Sequence, residues 1–311
     1  MKTKSLSNLA IILVSVIALT FTSCAKDDLS MGTADPATLE QLSADENNVE
    51  NVMKDVESDI TSFISNNNTG FKSSAWAPCN ATIDSLAKAN DSITYYITYD
   101  GLTCDGKRNR TGKIEIKKKV GTHWEIAGAT LIYKYIDFTV TRVATGKSVK
   151  LNGTKTFVNV NGGHRWQVGT TLSLYVERIS GKMQASFDNG SSRTWNVARQ
   201  HTYTGTPGQH VLTIDGFGVS GNYQNLVVWG TERQGEEFFT QITQSVVCRQ
   251  ACGMDPVSGT KIHQIPSDSK SATIAFGYNT NNEPITGDEC PTRYRVDWQR
   301  NNKSGTSYLP L

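Results

Sequence analysis

The chain reads as an all-β protein, a large antiparallel sheet that is either curled or folded into a sandwich, with one amphipathic helix ahead of it. Three observations predict this. From about Ile93 onward, Thr, Val, Ile, Tyr and Trp alternate with polar residues. Turn signals arrive about every ten residues through the same region. No helical stretch of credible length separates the strand-like runs, which excludes parallel β–α–β units.

Taken in order, the chain opens on a basic stretch with Lys2 and Lys4, then an apolar run from Leu9 to Phe21. That run is too short to cross a bilayer comfortably, which takes roughly 20 residues. Residues 1–23 are therefore expected to be a secretory signal. The stretch Phe21-Thr22-Ser23-Cys24 resembles a bacterial lipobox, which implies that Cys24 becomes the first mature residue and carries lipid. Two or more acyl chains anchor stably, because each buried CH₂ contributes ~0.8 kcal/mol. Residues 24–35 read as an acidic tether, and Ala25-Lys26-Asp27-Asp28 resembles the surface-export signal of lipoproteins from the Bacteroidota. The expected address is the outer membrane, lipid-anchored and facing the cell surface, with a periplasm-facing anchor as the alternative.

Residues 36–65 are expected to form the helix. Val49, Val52, Met53, Val56, Ile60, Phe63 and Ile64 recur at steps of three and four and share one face, while acids crowd the other. Asn66-Asn67-Asn68-Thr69-Gly70 ends it. Residues 66–311 form the antiparallel β domain. Ile114-Glu115-Ile116, Leu172 to Val176 and Tyr294 to Trp298 alternate cleanly. Asp105-Gly106, Asn161-Gly162-Gly163, Asp188-Asn189-Gly190 and Thr206-Pro207-Gly208 read as turns, and Asn-Gly and Asp-Gly supply the positive φ angles that two-residue hairpins require.

Charge is distributed unevenly. Once Lys2 and Lys4 leave with the signal, 29 basic side chains face 29 acidic ones. Residues 25–65 hold ten acids and two bases, so the remainder carries 19 acids and 27 bases. A basic body can meet acidic partners such as uronate glycans or lipopolysaccharide phosphates, or it can serve solubility. No nucleic-acid module accompanies it.

Besides Cys24 there are Cys79, Cys104, Cys248, Cys252 and Cys290. Export exposes them to oxidising conditions, so disulfides are expected: Cys79 with Cys104, and Cys290 with Cys252 or Cys248. Cys-x₃-Cys without a second pair or nearby His is poor zinc spacing, and no cofactor is implied. Gly216 to Gly221 spells G-x-G-x-x-G, but a strand-like run follows it where a dinucleotide site needs a helix, so a bulge or bend is expected. No G-x-S-x-G or H-E-x-x-H motif occurs, and no catalytic residue is assigned. A glycosidase can hide its carboxylates in any all-β fold.

Trp76, Trp124, Trp166, Trp195, Trp229 and Trp298 fit either core positions or a sugar-stacking platform. His164-Arg165-Trp166 beside a turn is the most suggestive place for a ligand. Asp84-Ser85-Leu86 and Asp91-Ser92-Ile93 each resemble the acceptor of the O-glycosylation system of Bacteroidota, which implies modification of Ser85 and Ser92 in loops between elements.

The block from Ile97 to Ile116 (ITYDGLTCDGKRNRTGKIEI), with Leu151 to Phe157, Arg193 to Asn196, Pro256 to Thr260, Thr273 to Gly277 and Cys290, resembles uncharacterised Bacteroidota lipoproteins. The resemblance runs from about Cys79 to the C-terminus and implies envelope placement and a β-rich fold, with no activity. The expectation is a membrane-anchored lipoprotein whose β domain binds a ligand or partner without catalysis. A structural role in contact with another envelope protein, and an enzyme acting on extracellular glycan, are the alternatives.

Overall fold

The computed structural model describes residues 77–89 and 91–311, together with Ser43, Asp45, Glu46, Val49, Val52, Met53, Val56, Glu57, Asp59 and Ile60. The expected signal, Cys24, the tether at 24–35 and Trp76 lie outside the described residues. Those described belong to one compact unit, 35–311. None of their helices is long and apolar enough to cross a membrane.

The body is a single sheet of 15 strands. They are β1 (Ala81–Ala89), β2 (Ser92–Leu102), β3 (Arg108–Lys119), β4 (Thr130–Arg142), β5 (Ser148–Asn159), β6 (Tyr175–Phe187), β7 (Ser192–Thr206) and β8 (Gln209–Gly216). The remainder are β9 (Gly218–Ser220), β10 (Tyr223–Thr231), β11 (Glu237–Arg249), β12 (Asp255–Ile265), β13 (Lys270–Tyr278), β14 (Arg293–Arg300) and β15 (Lys303–Pro310). Neighbours in sequence pair as antiparallel neighbours in space, as hairpin-linked alternating strands must.

The exception lies in the middle. β7 pairs with β10 through Thr194–Val197 and with β8 through Arg199–Thr206. β11 pairs with the same two strands in the same way. β8 and β10 thus share one place in the sheet, interrupted by an excursion that holds β9. The Gly216–Gly221 motif is that excursion. A Cβ on Gly218 would sit 2.5 Å from the Trp229 ring, and one on Gly216 would sit 2.3 Å from the Asn225 carbonyl oxygen. Close approach of backbone explains these glycines, and no helix follows them.

The sheet curls on itself. Arg108 of β3 and Phe276 of β13 line one cavity, although flat strands at about 4.8 Å spacing would hold them roughly 40 Å apart. Alternate residues point into the curl. Tyr95, Ile97 and Tyr99 of β2, Ile114 and Ile116 of β3, Phe138 of β4, and Tyr294 and Val296 of β14 are all buried. The described residues between 43 and 60 are helical, and Val49, Val52, Met53, Val56 and Ile60 are buried. At helical spacing these five share one stripe.

Both disulfides are present, Cys79–Cys104 and Cys252–Cys290. The first ties the entry of β1 to the β2–β3 turn; the second ties the segment after β11 to the loop before β14. Two local expectations need correcting. The run Leu172 to Val176 becomes strand only at Tyr175, because the Leu172 amide turns back to donate to the Gln167 carbonyl, 3.0 Å away. Ser85 and Ser92 do not lie in loops: Ser85 is paired with Tyr95 inside β1, and Ser92 opens β2 opposite Ala89. Thr82 to Leu86 find cross-strand partners there, which adds a strand ahead of Ile93.

Candidate functional site

A cavity of ≈ 710 Å³ lies on the inner face. Register builds its floor. His201 of β7 stands opposite Ile214 of β8, which stands opposite Val246 of β11; in the next row Tyr203, Leu212 and Cys248 align likewise. All six line the cavity. Lys155 of β5 and Arg199 of β7 continue the lining on one side, Lys261 of β12 and Phe276 of β13 on the other. Met53 and Glu57 reach it from the helical segment, and Arg165 and Trp166 reach it from the loop after β5.

That loop is shaped by Asn159, Gly162 and Gly163. The buried Asn159 amide donates to the carbonyls of Trp124 (2.7 Å) and Gly163 (2.9 Å), and its oxygen accepts the Gly162 N–H at 2.9 Å. Gly162 and Gly163 hold φ of 83° and 77°, where a side chain is strained. The chain then enters a single helical turn, Arg165–Gln167, with the His164 amide donating to the Gln167 side chain.

Of the three residues singled out by sequence, Arg165 and Trp166 both line the cavity, while His164 is buried behind them. Trp166 is 63% exposed, and its ring stacks on His164 with centroids 5.8 Å apart. The other described tryptophans divide: Trp195 and Trp298 are core, and Trp124 and Trp229 are half-buried, the latter over Gly218. Cys248 forms no disulfide and lies buried in the cavity floor.

Sequence reasoning missed the charges on the inner face. Glu177 accepts from Arg165, lies 3.3 Å from His201 Nδ1, and accepts from the Tyr175 hydroxyl at 3.3 Å. Burial alone would raise its pKa, but Arg165 and His201 outweigh that and hold it at about 2. The Arg165 guanidinium also lies 4.6 Å from the Tyr203 ring centroid. Lys155, 1% exposed, donates to Glu57 at 2.8 Å.

Glu46 lies at the centre of a second buried group. Lys261 donates to it at 3.3 Å, as does the Thr240 hydroxyl, whose oxygen lies 2.7 Å from His263 Nδ1. Burial opposes ionisation of Glu46, yet Lys261, His263, Arg199 and Arg193 bring it to about 2. Burial, stronger than the pull of Glu46, lowers His263 to about 4. Thr240, His263 and Glu46 have the composition of a nucleophilic relay, but Thr240 and His263 are sealed from solvent and do not line the cavity. Their arrangement fixes the helical segment to the sheet.

Asp59 with Arg110 at 2.8 Å, and Asp45 with Arg233, complete the set. Asp45, Glu46, Glu57 and Asp59 come from the acid-rich stretch and their bases from the basic body, so four of the acids of that stretch are met within the chain. Among the described residues, no group of three or more His, Cys, Asp or Glu side chains could hold a metal ion. Comparison with protein-family models, with curated proteins and with solved structures finds no match to the chain.

Proposed function

We propose that the protein is a lipid-anchored lipoprotein of the bacterial outer membrane, of the Bacteroidota type, whose curled β body binds a small ligand without transforming it. The ≈ 710 Å³ cavity carries this reading. Its volume is that of a small-molecule site, and it combines an apolar floor with a few buried polar groups, as such sites do. Trp166 offers an exposed ring at its edge and Arg165 a fixed cation beside it, which supports the His164-Arg165-Trp166 stretch as part of the site. The lipobox-like Phe21 to Cys24 and the acidic residues after it support the anchor and its surface address. An amphipathic helix over 36–65, clamped by acid–base pairs, completes the body.

Mass spectrometry of the full chain isolated from its host membrane tests this. Under denaturing conditions the chain should begin at Cys24 and carry acyl chains, with a glycan excess that Ser85→Ala and Ser92→Ala remove. Under native conditions it should retain a small molecule that Val246→Trp, filling the cavity floor, expels. A wild-type native mass equal to the denatured mass contradicts binding, and a mass without acyl chains contradicts anchoring.

A further inference from the structure

The charges on the cavity wall are answered from within the chain. Lys155 donates to Glu57 at 2.8 Å, and Lys261 donates to Glu46 at 3.3 Å. Arg165 and His201 both face Glu177, and the His201 Nε2 is sealed from solvent. Arg199 lies in the field of Glu46, and Arg108 and Asp255 are engaged as well. His210 Nε2 lies 3.1 Å from the Val168 carbonyl oxygen, and its backbone N–H donates to the Gln250 side chain at 3.1 Å. A charged group entering here would lose its water and find every cation already shared with the chain. What remains facing the cavity is apolar. Leu212, Ile214 and Val246 form the floor, Phe276 continues it, and Met53 and Met254 add flexible thioethers that adapt to an irregular guest.

One edge of the cavity meets water through apolar groups. Trp166 lines the cavity and is 63% exposed. The loop that carries it, residues 160–174, contains no acid, and Val160 and Leu174 at its ends are exposed as well. With the wall charges satisfied, the gain open to a ligand is the removal of its apolar surface from water, about fourfold in affinity for each buried methylene. We infer that the cavity takes the uncharged apolar body of a small amphiphile, which enters past Trp166 and leaves its polar head in water at that edge. This rests on the cavity being the ligand site and adds the chemical class.

The uncharged dye N-phenyl-1-naphthylamine is titrated into the full chain carrying Cys24→Ala, so that no detergent competes, and is then displaced by straight-chain competitors. From 1-hexanol through 1-octanol to 1-decanol, affinity should rise about fourfold per added methylene. The diol 1,10-decanediol must bury a hydroxyl that finds no partner, and should bind at least about tenfold more weakly than 1-decanol. Decanoate, its charge left in water, should stay within about fivefold of 1-decanol. Val246→Trp should weaken the dye and every competitor, with Leu212→Phe as a milder filling, and circular dichroism melts identify any variant that fails to fold. Affinity that ignores chain length, a diol equal to 1-decanol, or no dye binding at all overturns the apolar occupant. A small molecule retained in the native mass and expelled by Val246→Trp would then leave the cavity site standing. Decanoate tighter than that range overturns the satisfied wall, and decanoate weaker than it overturns the open edge at Trp166. Dye binding unchanged by either filling variant overturns the cavity site as well.

Discussion

Glu46 shows how single residues on the inner face are balanced. Its carboxylate sits among Lys261, Thr240 and His263, and removing a partner would leave a buried charge uncompensated. This fixes the pH dependence of stability. His263 is lowered to about 4, below the 6.5 of a free imidazole, so it resists protonation in the folded state. Stability therefore falls as pH drops from 6.5 towards 4, by as much as about 3 kcal/mol at ~1.4 kcal/mol per pKa unit. Glu46 and Glu177, both lowered to about 2, add a second loss as pH falls below about 4.5. Urea midpoints measured from pH 7 to 3 should show both steps, and His263→Gln should flatten the first. A midpoint independent of pH between 7 and 4 would contradict this account. In the sequence, Glu177 and Lys155 were marked only by charge at an inward position of an alternating run. Alternation gives phase but not partner, so the ion pairs could not be read from it.

At the scale of elements, turn chemistry was the most legible signal. Asp105-Gly106, Asp188-Asn189-Gly190 and Thr206-Pro207-Gly208 are hairpin turns and Asn161-Gly162-Gly163 bends the loop after β5, each with glycine at positive φ. β1 was not legible, because Ala81–Ala89 carries few β-branched residues and is recruited by pairing with β2. The interruption between β8 and β10 was legible as glycine, though its sharing of one place in the sheet follows only from long-range pairing. The disulfides follow from proximity. Cys252–Cys290 closes a separation of 38 residues, for which the chain-entropy model gives about 4 kcal/mol. Replacing both with Ser should lower the unfolding free energy by that order, measured by denaturant titration, with Cys79–Cys104 left intact. An unchanged midpoint would show that the loop before β14 is held by other contacts, such as Arg249 with the Gly287 and Glu289 carbonyls.

Over the whole molecule, the acid-rich stretch ahead of the sheet and the basic body supply complementary charges. Asp45, Glu46, Glu57 and Asp59 meet Arg233, Lys261, Lys155 and Arg110 across the curl. The composition held that asymmetry in plain view, as ten acids to two bases against 19 to 27. Reading it as self-recognition required knowing that the sheet wraps around the helical segment. The same wrapping makes the cavity, since its lining comes from positions as distant as Met53 and Phe276. The central claim is that this cavity is a ligand site. Anomalous diffraction from crystals of the full chain with Cys24→Ala, grown with 12-bromododecanoic acid, tests it most directly. The account predicts a bromine peak inside the cavity, over Leu212, Ile214 and Val246. Bromine found only on the outer surface, with the cavity holding water alone, would contradict it.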